Sequence, residues 1–174
     1  MNLKACVFLD RDGVLNEERG EYTFRVEDFK IIDGVKKAMQ LLKQKDYLLI
    51  VITNQAGIAK GLYTDNDVMQ CHEYLQNQTG KLIDDIYYCP HHPVSTESLL
   101  RKPDSLMLEK AIARYNIDPD KSWMVGDSER DLIAADKVGV KGILVNETND
   151  TSQNGLVCKN LLEAVQKFIL KANP

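Results

Sequence analysis

Four places in the chain end an apolar run with side chains that can move protons or hold an anion. Val7-Phe8-Leu9 runs into Asp10 and Asp12, two carboxylates two residues apart, followed by Gly13. Leu48 to Ile52 runs into Thr53, Asn54 and Gln55; a polar loop after Tyr87-Tyr88-Cys89 reaches Arg101 and Lys102; Trp123-Met124-Val125 runs into Asp127 and Asp131. Two neighbouring carboxylates raise one another's pKa, so both are useful only beside a cation or when they divide acid and base work between them. Taken alone, Asp10-Arg11-Asp12-Gly13 reads equally well as a solvated acidic turn. A hydroxyl, amides, a lysine and a second acidic pair, each placed where a strand should end, are hard to explain as surface.

The elements that would place these groups follow from the pattern. Continuous apolar runs at Ala5–Leu9, Tyr47–Ile52, Asp85–Cys89, Trp123–Val125 and Gly142–Val145 predict five strands, the first two fully buried. Helical spacing recurs at Val35, Ala38, Met39 and Leu42 with Asp33 as the expected cap. It recurs at Val68, Cys71 and Leu75, opened by a Thr64/Asp67 capping box and closed by Gly80. Further helices are expected around Leu108–Tyr115, Leu132–Val138 and Leu161–Ile169, with a polar loop over 146–155. Alternating strands and helices predict an α/β fold, a three-layer α/β/α Rossmann-like parallel sheet with right-handed crossovers. Ligands in such sheets bind beyond the carboxyl ends of the strands, which is where every group named above falls. The connection after the first strand is too short for an inserted cap domain, so one domain over 1–174 is expected, with an active site roofed only by loops.

Composition narrows the function. With 174 residues and a formal charge of −4, the chain has no Lys/Arg run that would track a nucleic-acid backbone. Cys6, Cys71, Cys89 and Cys158 are scattered, as reduced thiols would be, and no apolar run approaches a membrane span. A cytoplasmic, monomeric protein acting on a small molecule is expected, without nucleic-acid or membrane partners.

The four stretches, in order, resemble the haloacid dehalogenase (HAD) superfamily of phosphatases: Asp-x-Asp after the first strand, Ser/Thr after the second, a Lys, and an acidic pair. The resemblance covers essentially the whole chain. It implies Mg²⁺-dependent phosphomonoester hydrolysis in which Asp10 attacks phosphorus to form an aspartyl phosphate. It implies that Asp12 protonates the leaving oxygen and later deprotonates water. Thr53 and Lys102 would hold the phosphoryl oxygens, and the metal would sit on Asp10, the backbone carbonyl of Asp12 and Asp127, a set of hard oxygens. Asp131 would orient Lys102 or waters on the metal, or merely favour a helix start; Glu129 and Arg130 read as solvated helix residues.

Within the superfamily, Thr53-Asn54-Gln55-Ala56-Gly57-Ile58-Ala59-Lys60-Gly61, Tyr87-Tyr88-Cys89-Pro90-His91-His92-Pro93 and Arg101-Lys102-Pro103 are most similar to the heptose bisphosphate phosphatases. These belong to the histidinol-phosphate phosphatase-like subgroup. This resemblance implies a phosphorylated sugar as substrate and a place in the making of nucleotide-activated heptose, with Asn54, Gln55 and Arg101 as substrate-binding residues. Arg101 offers a bidentate fork to a second phosphate. Histidinol phosphate, another sugar phosphate, or a non-catalytic phosphate-binding role are the alternatives. Relatives hold a structural zinc with Cys-x-His and a later Cys-x-Cys. Here Cys89 and His91 persist, but Ser98 and Leu100 stand at the second pair, so a closed four-ligand zinc site is not expected.

Overall fold

A computed structural model describes residues 3–146 and 155–172. Among the described residues six strands form one sheet: β1 (Cys6–Leu9), β2 (Leu48–Asn54), β3 (Asp85–Cys89), β4 (Trp123–Gly126), β5 (Lys141–Val145) and β6 (Leu156–Cys158). Their order is β3-β2-β1-β4-β5-β6 and every pairing is parallel. Phe8 lies between Ile50 and Met124 in register, so β1 is the buried centre. Because successive side chains alternate faces, Val7, Leu9, Leu49 and Val51 feed one core, while Cys6, Phe8, Ile50 and Ile52 feed the other.

The first core is closed by α1 (Val35–Lys43), α2 (Asp65–Thr79) and α5 (Leu161–Ala164), which supply Met39, Leu42, Leu75 and Leu161. The second is closed by α3 (Leu106–Tyr115) and α4 (Glu129–Asp136), through Met107, Leu108, Ala111, Ala134 and Ala135. Helices on both faces of a parallel sheet make the expected three-layer sandwich. The chain winds outward from β1 to β3, then returns to β4 on the other side of β1. That reversal opens a crevice between β1 and β4, the switch point where such sheets bind ligands.

The expected boundaries hold to within a few residues, with three corrections. β6 is an additional strand; at three residues it is too short for a periodic signal, and most of the polar loop expected before it, 147–154, lies outside the described residues. The cap of α1 is Gly34, not Asp33: it stands at φ 87°, and a Cβ there would come within 3.1 Å of Leu162. The last helix changes at Val165–Ile169 to a π-helical stretch before ending in Leu170–Ala172. The Thr64/Asp67 box is present: the Thr64 amide donates to Asp67 at 2.8 Å, and the Asp67 amide donates to the Thr64 hydroxyl at 3.3 Å.

Candidate active site

The strand ends converge as the crevice requires. β1 ends where the Asp10 amide donates to the Val125 carbonyl at 2.9 Å, which ties the first acidic residue to β4. Lys102, 1% exposed, reaches across from the β3–α3 connection. Its Nζ lies 2.9 Å from Asp10 Oδ1 and 2.7 Å from Asp131 Oδ1, and donates to the Ile52 carbonyl at 2.7 Å. Asn54 fixes the backbone that carries this lysine: its amide oxygen accepts from the Lys102 N–H and its amide nitrogen donates to the Lys102 carbonyl, both at 3.1 Å. Asp131 combines its two expected roles. One oxygen meets Lys102 and the other accepts the Ser128 amide at 3.1 Å, closing the first turn of α4.

Asp10, Asp127 and Asp131 offer oxygens that all lie within 4.8 Å of one another, against the single charge of Lys102. Burial pushes the Asp10 carboxyl up to about 7; Lys102 pulls it down, while Asp131 and Asp127 push it further up. Burial, then Asp131, takes Asp127 to about 6. Burial alone would lower the lysine, but Asp10 and Asp131 outweigh it and raise the Lys102 pKa. Asp127 Oδ1 is buried with no hydrogen-bond partner. Excess negative charge, hard oxygen donors and an orphaned carboxylate oxygen fit a divalent cation such as Mg²⁺. Close packing explains Gly13: at φ 78°, a Cβ there would fall 2.2 Å from Asp127 Oδ2.

Asp12 points away from this cluster. Its Oδ1 accepts from Arg11 Nε at 3.2 Å and Asn16 Nδ2 at 2.9 Å; its Oδ2 accepts from Gln55 Nε2 at 3.2 Å; and Arg11 Nη2 reaches both oxygens, at 2.9 and 3.0 Å. Gln55, expected to bind substrate, is 2% exposed and lies behind Asp12, where its Nε2 also donates to Thr53 Oγ1 at 3.0 Å. Neither Arg11, fully buried, nor Asn16 was singled out by the sequence. Only their burial, invisible in a polar stretch, reveals them.

Above these groups lies a cavity of about 360 Å³, walled by Asp10, Asp12, Thr53, Asn54, Asp127 and, at its rim, Arg101. Arg130 is exposed, as its sequence suggested, yet it also lines this cavity, and the loop from Glu18 to Thr23 forms the opposite wall. Arg101 is half-buried and donates to the His91 carbonyl at 3.3 Å. In the loop before it, Ser98 Oγ lies 2.9 Å from His91 Nδ1 and 4.0 Å from Cys89 Sγ. A serine hydroxyl thus joins the residues that the resemblance associates with zinc. Among the described residues, the only group of three or more His, Cys, Asp or Glu side chains placed to share an ion is the aspartate cluster.

Aspartates at the end of β1, a lysine from the β3–α3 connection and acidic residues after β4, on this sheet order, define a HAD-type phosphatase. The HAD-hydrolase-like family model matches residues 99–164. The chain is 44% identical over 147 residues to D-glycero-β-D-manno-heptose-1,7-bisphosphate 7-phosphatase of Haemophilus ducreyi, covering 79% of this chain and 80% of that protein. It is 39% identical over 154 residues to the enzyme of the same name from Pasteurella multocida, covering 84% and 83%. The crystal structure of D,D-heptose 1,7-bisphosphate phosphatase from B. bronchiseptica, complexed with magnesium and phosphate, superposes with a TM-score of 0.86 at 27% identity, covering 96% of this chain and 99% of that one. The chain belongs to the heptose bisphosphate phosphatase family of the HAD superfamily. Among the described residues no helix is long and apolar enough to cross a membrane.

Proposed function

We propose that this protein hydrolyses the 7-phosphate of D-glycero-D-manno-heptose 1,7-bisphosphate through a phosphorylated Asp10. The observation that carries the reading is the buried Lys102, held between Asp131 and Asp10, the aspartate that itself lines the polar cavity. Phosphoryl transfer needs positioning and charge neutralisation above all. Lys102 supplies a fixed cation beside the attacking oxygen, and Thr53, whose hydroxyl accepts from Gln55, keeps its own proton for a phosphoryl oxygen. Asp10, Asp127 and the Asp12 carbonyl would hold Mg²⁺, which when bound would neutralise charge on the nucleophile and the phosphate. Asp12 gives its proton to the departing sugar oxygen and takes one from the water that later cleaves the aspartyl phosphate.

Arg101 at the rim suits the phosphate that does not react, and Arg130 adds a second cation on the same cavity. Asn54 acts by fixing Lys102. We read the β3–α3 loop as held without zinc, by Ser98 and by Pro90 and Pro93 at its entry. The relatives of 44% and 39% identity carry the β-anomer name, which makes that anomer the first substrate to test. The experiment is phosphate release by purified protein from heptose 1,7-bisphosphate, histidinol phosphate and simple sugar phosphates, with and without Mg²⁺ and with a zinc-specific chelator. The reading expects Mg²⁺-dependent, chelator-resistant release that favours the bisphosphate. Preference for histidinol phosphate, or binding without release, would overturn it.

A further inference from the structure

We propose that Arg11 and the Tyr63–Gln55 pair are positioning residues for Asp12, and that they tie the aim of this acid to the aromatic loop over 22–24. The proposal rests on the acid–base role given to Asp12 above. Two separate connections run from the loop to the carboxylate. In the first, Arg11 Nη2 donates to the Thr23 carbonyl at 2.7 Å while also meeting both oxygens of Asp12. This guanidinium is fully buried and stands over the Phe29 ring at 5.5 Å, so its fork has one orientation. In the second, the Tyr63 ring stacks on Phe24 at 5.1 Å and meets Tyr22 edge-on at 5.7 Å, and its hydroxyl lies 3.0 Å from Gln55 Oε1.

The Asp12 carboxylate decides which way the Gln55 amide points, and the Tyr63 hydroxyl anchors its other end. As a donor to Oε1 it leaves Nε2 to face Asp12 and Thr53; the flipped amide would set a carbonyl oxygen against a carboxylate. Burial pushes the Tyr63 pKa up to about 12, so the phenol keeps its proton at any working pH. Gly57 lets the ring in, since a Cβ there would fall 2.0 Å from it. The Glu18–Thr23 loop walls the cavity, so the part of the protein that meets the sugar is bonded to the group that must protonate the sugar's oxygen. These donors fix the plane and position of the Asp12 carboxyl at the cavity wall, and small displacements of such a group are costly.

The test is leaving-group dependence of kcat/KM, which reports formation of the phosphorylated enzyme. A sugar phosphate needs a proton on its departing alkoxide; p-nitrophenyl phosphate departs as a stable phenolate and needs none. Tyr63→Phe keeps the ring and removes only the hydroxyl. It should lower kcat/KM for the sugar phosphate about tenfold, with little change in KM, and leave p-nitrophenyl phosphate within about twofold. Arg11→Lys, which keeps the charge but loses the fork, should show the same selectivity. Equal losses on both substrates, or none on either, in folded Tyr63→Phe protein would overturn the proposal. Asp12→Asn separates it from the reading beneath: if this variant is selective and Tyr63→Phe is not, the positioning role alone fails; if Asp12→Asn loses both substrates equally, the acid role fails with it.

Discussion

Replacing Lys102 by Met keeps most of the side-chain volume and removes the cation that, among the described residues, pairs with Asp10 and Asp131, 2.9 and 2.7 Å away. Stranding a charge in a buried pair costs about 3–5 kcal/mol. The aspartates have a way to limit this, which is to keep a proton that the unfolded chain releases. Holding a carboxyl neutral costs about 1.4 kcal/mol for each pH unit above its ordinary pKa near 4, or about 4 kcal/mol at pH 7. The two routes to the magnitude agree. The sign also follows: beyond the protons that Asp10 and Asp127 already hold in the folded parent, the folded variant binds about one more, so its deficit relative to the parent grows as pH rises. Urea unfolding without divalent cations should show the variant about 3–5 kcal/mol less stable than the parent at pH 7, and only about 1–2 kcal/mol less stable at pH 5. Phosphatase activity should fall by at least about a thousandfold, because the donor and the ionised nucleophile are lost together. A deficit that does not change between pH 5 and pH 7, or activity above about one per cent of the parent, would refute this account of Lys102.

Three other outcomes are expected. Arg101→Ala should lower kcat/KM for heptose 1,7-bisphosphate about 10- to 100-fold, a loss of roughly 1.5–3 kcal/mol for a charge-assisted contact. A monophosphate lacking the distal group should lose much less, so equal losses would place Arg101 in the reacting site or the fold of its loop. Charge removal at Arg130 should act in the same direction but more weakly, since that side chain is exposed; a gain in bisphosphate affinity would contradict the assignment. Asp10 and Asp127 hold protons in the fold, up to about 7 and about 6, that the unfolded chain has lost, so the metal-free protein loses stability as pH rises from about 4 to about 7. Mg²⁺ should therefore raise Tm more at pH 8 than at pH 5.5, whereas a pH-independent rise would mean that the ion binds elsewhere.

The sheet was legible because its central strands are buried on both faces and read as unbroken apolar runs; β3 was found to the residue. β6 was not, because three residues carry no period; Asp33 reads as the cap of a helix beginning near Gly34 because a side-chain cap is the commoner start, whereas the contact of Gly34 with Leu162 is tertiary. Asp10, Thr53 and Asp127 follow apolar runs at the end where such sheets place chemistry, whereas Lys102 stands beyond a polar loop and is legible only from its order among the other three. The supports of Asp12 were not legible. Arg11 looks like a surface residue in the chain, Gln55 reads as a substrate-binding amide, and Tyr63 lies in a bend with no apolar pattern around it; all three are buried through contacts eight or more residues away. Asn54 and Gln55 illustrate the same limit, since position at a strand end names the neighbourhood but not whether an amide faces substrate or a neighbour.

The claim that Asp10 is the nucleophile is tested most directly by intact-mass and peptide mass spectrometry of the Asp12→Asn variant, quenched in acid after exposure to an activated phosphate monoester with Mg²⁺. Without a base to activate water, the covalent form should accumulate: one phosphoryl group per chain, on the peptide that carries Asp10, and none in the Asp10→Asn/Asp12→Asn double variant. A phosphoryl group mapped to any other residue, or one that persists in the double variant, would contradict the account.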